Sequence, residues 1–234
     1  QHPDYRPYLG HMRDKHQVLM QVADALAAYL RSDALNTFDS RYDRYVRGEL
    51  SPTRQEMAGM GLFFAPGFSS CANCHQSESV AYAPHEVFTN YRYENVGAPL
   101  NRRLSAQDMN LHTASVADAG LANNSVAATA LGQNAVLGRV KVPSLRNVAV
   151  TGPYMHNGGF SDLSTVMLFY NHYNQTGSSG LVNPETGQPW EPSAFPEGIE
   201  TDKLKSGFPL SEPQLAALTA FLRMLTDQRY EHLH

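Results

Sequence analysis

Apolar residues recur at helical spacing in four stretches of the chain. Val18, Leu19, Val22, Ala25, Leu26 and Tyr29 share one face of an Ala- and Leu-rich run and predict an amphipathic helix over 16–31, which must pack on something. A second helix opens at Ser51-Pro52, with Ser as N-cap and Pro at the first helical position, and passes through Met57, Met60, Leu62 and Phe63 before Pro66-Gly67 ends it. Ser161 or Asp162 caps a third, whose apolar face is Leu163, Val166, Met167, Phe169 and Tyr170. The last begins at a capping box, Ser211-Glu212-Pro213-Gln214, and carries Leu215, Leu218, Leu222 and Leu225 to about Thr226. Between these runs the pattern breaks up. Residues 1–16 are turn-rich, 32–49 are mixed, 81–139 read as loop with scattered turns, and 140–157 as structured loop. Residues 174–209, dense in Gly, Pro and Ser, form a long connection that is either a lid or a surface loop. The expected fold is all-α with long loops, divided into a lead-in and packing helix (1–50) and one domain (51–234).

Composition narrows the function classes more than the fold. At 234 residues the chain is long enough for one sizeable domain or two small ones. A net charge of −4 and the lack of any Lys/Arg block leave no electrostatic footprint for nucleic acid or an anionic membrane surface. No apolar run approaches the roughly 18 residues of a membrane span. The chain opens on Gln1-His2-Pro3-Asp4 with no signal-like segment, so an exported protein would already have lost its signal.

The chemistry concentrates in Cys71-Ala72-Asn73-Cys74-His75, which holds both of the chain's cysteines. Cys-x-x-Cys-His is the spacing of c-type haem attachment: two thiols add across the vinyl groups, and the next histidine becomes the proximal iron ligand. A structural zinc site would need a second Cys or His pair, and a thioredoxin-like site a βαβ setting; neither pattern is present. An ordinary disulfide is the remaining alternative. The chain is thus expected to carry one covalent haem c, bound by Cys71, Cys74 and His75, with His75 on the iron.

Around this motif the sequence resembles a family. Tyr42-Asp43-Arg44-Tyr45, Gly59-Met60-Gly61-Leu62-Phe63-Phe64, the haem motif, Val142-Pro143-Ser144-Leu145-Arg146-Asn147-Val148-Ala149, Thr151-Gly152-Pro153-Tyr154-Met155-His156-Asn157-Gly158 and the closing Leu218–Thr226 follow in the order found in the C-terminal haem domain of bacterial di-haem cytochrome c peroxidases and their MauG-type relatives. The resemblance runs from about residue 17 to the end. It implies a cytochrome c-like haem domain preceded by a linker helix. Members normally carry two haem domains, so the first is expected to be a separate subunit, to have been removed, or to be missing from a single-haem descendant.

The resemblance also assigns roles. The second axial ligand lies on the helix after the Pro-Tyr-x-His loop, where peroxidases place Met and the MauG-like branch Tyr; here that position is Tyr170, with Met167 the runner-up. A thioether favours electron relay, whereas a phenolate is a hard donor that stabilises oxidised iron. On the residues alone, Tyr170 is equally one more aromatic on an apolar face and Met167 a core methionine. His156 is expected in the haem pocket as an acid/base or haem-edge hydrogen-bonding group, with iron ligation the lesser alternative. Arg146 is expected to pair with a propionate. Calcium, if bound, would take the carbonyl oxygens of Thr151 and Pro153. His172 should face away from Tyr170 and be exposed, and Trp190 should be a packing anchor rather than an electron-hopping station.

The implied function is peroxide-dependent oxidation, or electron transfer to it, by a periplasmic or otherwise exported haem protein, since haem is joined to such motifs outside the cytoplasm. It would work with a redox partner protein, including a second haem-bearing subunit. The alternative is a non-catalytic mono-haem electron-transfer cytochrome, or the haem subunit of a larger redox complex.

Overall fold

The computed structural model of the chain describes residues 14–78, 85–102, 117–175 and 182–234. It divides into two compact units, Gln1–Phe38 and Asp39–His234. In the first, helix α1 (Lys15–Leu30) is capped by the Asp14 carboxylate, which accepts from the amides of His16 at 3.0 Å and Gln17 at 3.2 Å. Its expected apolar face is real but exposed at Leu19, Val22, Leu26 and Tyr29. Residues 39–50, expected to belong with this lead-in, form part of the larger unit.

The larger unit opens with helix α2 (Arg41–Val46), which hydrophobic spacing did not reveal because it is barely more than one turn long. Ser40 and Asp43 fix its start by reciprocal capping bonds. Helix α3 (Arg54–Phe64) starts later than Ser51-Pro52 suggested. Thr53 accepts from the Glu56 amide at 3.2 Å while its own amide donates to the Glu56 carboxylate at 2.6 Å, a capping box that outcompetes the Ser51 cap. Two short helices, α4 (Ser125–Leu131) and α5 (Gln133–Val136), lie in the region expected to be loop. Helix α6 (Leu163–His172), a one-turn α7 (Thr201–Leu204) and the closing α8 (Glu212–Arg223) follow, the last with its predicted Ser211/Gln214 box.

Among the described residues the fold is mostly helical, with two short antiparallel ladders that the all-α expectation did not include. Strands β1 (Tyr93–Glu94) and β2 (Val140–Lys141) pair Tyr93 with Lys141 and Glu94 with Val140. Strands β3 (Val182–Asn183) and β4 (Gln188–Pro189) form a hairpin within the long connection. Two-residue strands are too short to show alternation, so the pattern could not announce them.

The core forms where α3 crosses α8. A side chain at Gly59 would run into the Ala217 carbonyl, so glycine is what lets the two backbones approach. Around the crossing, Phe63 and Phe221 lie 5.0 Å apart, and Tyr42 meets Phe88 edge-on at 5.2 Å. These rings are buried and supply much of the apolar area removed from water. A second cluster joins Phe160, Phe169 and Trp190.

Leu145-Arg146-Asn147 ties helix α2 and the stretch that follows α8 to this core. Leu145 is buried within it. Arg146 donates to the Asp43 carboxylate at 2.7 Å and to the Glu86 carbonyl at 2.7 Å, and its guanidinium lies 5.3 Å from the Phe88 ring centre. The Asn147 amide donates to the Leu225 carbonyl at 2.9 Å, and the Asn147 side chain accepts from the Asp227 amide at 2.8 Å. Among the described residues, no helix is long and apolar enough to cross a membrane.

Three substitutions test this frame. Gly59→Ala should cost about 1–3 kcal/mol through overpacking, whereas Gly61→Ala, open to space on the same helix, should be neutral or stabilising by up to about 1 kcal/mol. Both are read from urea midpoints. Arg146→Ala leaves Asp43 in a pair whose side chains are each only 11% exposed, and should cost about 3–5 kcal/mol in the same assay.

Candidate haem site

The chain leaves α3 at Ala65 and reaches a 3-10 turn at Cys71–Asn73, entered through Ser70 at φ 59. The Cys74 amide donates to the Cys71 carbonyl at 3.2 Å and the His75 amide to the same oxygen at 2.9 Å. One turn therefore brings Cys71, Cys74 and His75 to the same side of the backbone, as spacings of three and four residues require. Both cysteines are free thiols, which removes the disulfide alternative. Burial pushes both thiols above their ordinary pKa, so they are protonated and uncharged.

His75 is held by its Nδ1, which lies 2.9 Å from the Phe88 carbonyl oxygen. A carbonyl can only accept, so Nδ1 carries the proton and Nε2 is left with its lone pair. Burial lowers the pKa of the imidazole, against the opposing pull of the Phe88 and Pro143 carbonyls, and favours this neutral form. Neutral imidazole with its far nitrogen tied to a carbonyl is the form that ligates metals. Phe88 is fully buried and sits at φ 54, so the carbonyl is delivered by a constrained stretch of backbone. Sequence reasoning missed Phe88 because a backbone acceptor leaves no residue signature.

Tyr170 and Met167 lie on α6, one turn apart, both partly buried against the core. Burial raises the pKa of the Tyr170 phenol, and the next contributions come from Cys71 and then Cys74. Tyr173, one turn further on, donates to the Val96 carbonyl at 3.1 Å, and burial pushes its pKa up to about 12. The end of α6 is fixed from a distance. Asp162 occupies the N-cap position without a side-chain bond; instead the Glu185 carboxylate, from the β3–β4 turn, accepts from the amides of Ser161 at 2.8 Å and Asp162 at 3.0 Å. Partial burial raises the Glu185 pKa, but those amides outweigh it and hold the carboxyl below its ordinary value.

Two expected site residues lie elsewhere. Arg146, expected at a propionate, grips Asp43, Ser40 and the Glu86 carbonyl, because a buried carboxylate within reach claims a guanidinium first. His156 is exposed at the rim of a cleft lined by Val96, Pro99, Asp118, Val140 and Phe195, a lining that includes none of Cys71, Cys74, His75 and Tyr170. Partial desolvation lowers its pKa and Asp118 opposes that. His172, expected to be exposed, is half-buried and stacks on Trp190 with ring centres 5.7 Å apart. Trp190 packs against Phe160 and Phe169, the anchor role expected of it. Thr151 and Pro153 stand on an exposed loop around Gly152. No group of three or more His, Cys, Asp or Glu side chains among the described residues could hold a metal ion, so calcium there would rest on carbonyl oxygens.

The donor set fits a covalent haem: two free thiols and a neutral imidazole on one turn. No family model matches the chain. It is 42% identical over 224 residues to the methylamine utilization protein MauG of Paracoccus denitrificans, covering 96% of this chain and 56% of that protein. It is 26% identical over 166 residues to the cytochrome c551 peroxidase of Nitrosomonas europaea, covering 69% of this chain and 40% of the other. In fold it resembles the diheme peroxidase BthA of Burkholderia thailandensis, with a TM-score of 0.70, 30% identity and coverage of 94% of this chain and 54% of BthA. A variant of BthA superposes with a TM-score of 0.74 over 94% of this chain and 53% of the variant. The chain thus spans about half the length of these relatives. At 42% identity over 96% of its length to a MauG protein, the chain belongs to the MauG-like di-haem cytochrome c peroxidase family.

Proposed function

We propose that residues 39–234 form the C-terminal-type haem domain of a MauG-like peroxidase, active in peroxide-dependent oxidation at the periplasmic side of the cell. Cys71 and Cys74 would hold the porphyrin, and His75 and Tyr170 would bind its iron. The bound haem supplies one-electron chemistry, with peroxide or a redox partner protein as the other reactant. The observation that carries this reading is the His75 Nδ1 contact with the Phe88 carbonyl beside two free thiols, because it leaves Nε2 neutral and ready for a metal.

Each residue then has a definite task. The Phe88 carbonyl raises the basicity of Nε2 and keeps the ring from turning. Burial holds the proton on the Tyr170 phenol; were haem iron bound there, its oxygen would be a hard donor that favours the oxidised state. Met167 packs the core behind it. Arg146 acts through the Glu86–Phe88 backbone that His75 leans on, rather than through a propionate. His156 and Asp118 serve the rim of their own cleft. The Thr151 and Pro153 carbonyls form half of a calcium site that a neighbouring domain completes. One haem belongs to this stretch of chain, and the second haem of the di-haem relatives belongs to sequence matching their other half. The export expectation rests on the chemistry of haem attachment and on the family.

Tyr170→Phe should change the visible and electron-paramagnetic spectra of the ferric protein, while Met167→Leu should leave them as they are; the reverse result transfers the ligand role to Met167. Peroxide in excess should alter the absorption spectrum of the intact protein within the mixing time of a stopped-flow instrument. A spectrum that does not respond assigns the domain to electron transfer alone.

A further inference from the structure

The haem-attachment turn is gripped from both sides by segments remote in sequence. On one side, the Asn90 amide donates to the Cys74 carbonyl at 2.9 Å, and the chain runs on into β1. On the other, Ser70 and Ser206 share a hydroxyl hydrogen bond at 2.6 Å and the Phe208 amide donates to the Phe68 carbonyl at 3.0 Å. A side chain at Gly207 would strike that same carbonyl, so the segment after α7 lies directly against the approach to Cys71.

These two segments are bolted together by charge. Glu94 on β1 is 4% exposed, far more buried than a carboxylate stays without partners. Lys203 on α7 places its ammonium 2.8 Å from each Glu94 carboxylate oxygen and 3.5 Å from Glu200. Arg139 completes the set, 2.6 Å from Glu200 and 3.7 Å from Glu94. The four charges balance. No step assigned above to His75, Tyr170 or Phe88 uses this cluster.

We infer that the Glu94–Lys203–Glu200–Arg139 cluster is a positioning and tuning device for the haem: it clamps the long connection beside the Cys74 attachment point and sets the electrostatic potential there. Glu94 is buried and Arg139 and Glu200 partly so, while Lys203 closes the cluster from its exposed side; charge beside a redox centre shifts its equilibrium, and each sign has its own effect. An unpaired anion favours the oxidised state and lowers the reduction potential. An unpaired cation does the opposite. The neutral quartet holds the balance, so removing one member exposes the charge of its partner.

This inference rests on haem attachment at Cys71 and Cys74, and the experiment keeps the two apart. Glu94→Gln, Lys203→Gln and the double variant are made in the full chain. Haem content is measured by pyridine haemochrome, and the potential by spectroelectrochemical titration at pH 8. Lys203→Gln should lower the potential and Glu94→Gln raise it, each on the order of tenfold in the oxidation equilibrium, about 59 mV for one electron. The double variant should return close to the parent. Should Glu94→Gln fail to fold, Glu200→Gln carries the same expected sign. Haem present with potentials that do not move, or that move in the same direction in both single variants, overturns the inference. Haem absent from the parent protein overturns the site itself.

Discussion

An imidazole can serve iron only if something decides which of its nitrogens faces the metal, and here that decision is a single contact from His75 Nδ1 to the Phe88 carbonyl. The contact is as reliable as the backbone that delivers the oxygen. Phe88 is locked by its buried ring among Tyr42, Phe63 and Phe221. Two residues earlier, the Glu86 carbonyl accepts from Arg146, which is held in turn by Asp43 and Ser40 at the start of α2. Asn147 then fastens the same stretch to the end of α8 through Leu225 and Asp227. His75 is thus oriented by helix α2, the 86–88 loop, the 145–147 segment and the C-terminal turn acting together. This gives the Leu-Arg-Asn stretch a physical purpose within the chain itself: it builds the frame for a histidine seventy residues before it.

The tyrosine side of the site is organised differently. Tyr170 rides on a helix whose inner face, Leu163, Val166 and Phe169, is buried in the core, so its position follows from packing. Its polar neighbours are sparse. The proximal side is fixed by hydrogen bonds and the tyrosine side by apolar contact, a division that leaves the phenol poorly solvated and its proton tightly held. The charges near the thiols are kept in balanced pairs around Glu94 instead of being scattered.

What the sequence revealed depended on how local each feature was. The Cys71–His75 turn was legible as a candidate because its pattern is written in five adjacent residues. The helices α1, α3, α6 and α8 were legible because each shows several apolar repeats. Helices α2, α4 and α5 were not, since a stretch of four to seven residues offers too few repeats to separate from loop. Tyr170 stood out only through its place in a family pattern; alone, it is indistinguishable from its helical neighbours. Phe88 was invisible because it acts through its carbonyl. Arg146 was read as a surface cation looking for a propionate because Asp43 lies far off in sequence, and the same separation hid the pairing of Glu94 with Lys203. Polar partnerships across such distances follow from the fold and cannot precede it.

The hairpin of β3 and β4 looks like a dispensable excursion, yet its turn lends Glu185 to the opening amides of α6. Trp190, just past the hairpin, braces the same helix from its far side. Anyone trimming this protein to a minimal haem module would be tempted to cut there first. Doing so would strip the tyrosine-bearing helix of its only borrowed anion among the described residues and of its aromatic backstop, so the ornament turns out to be scaffolding.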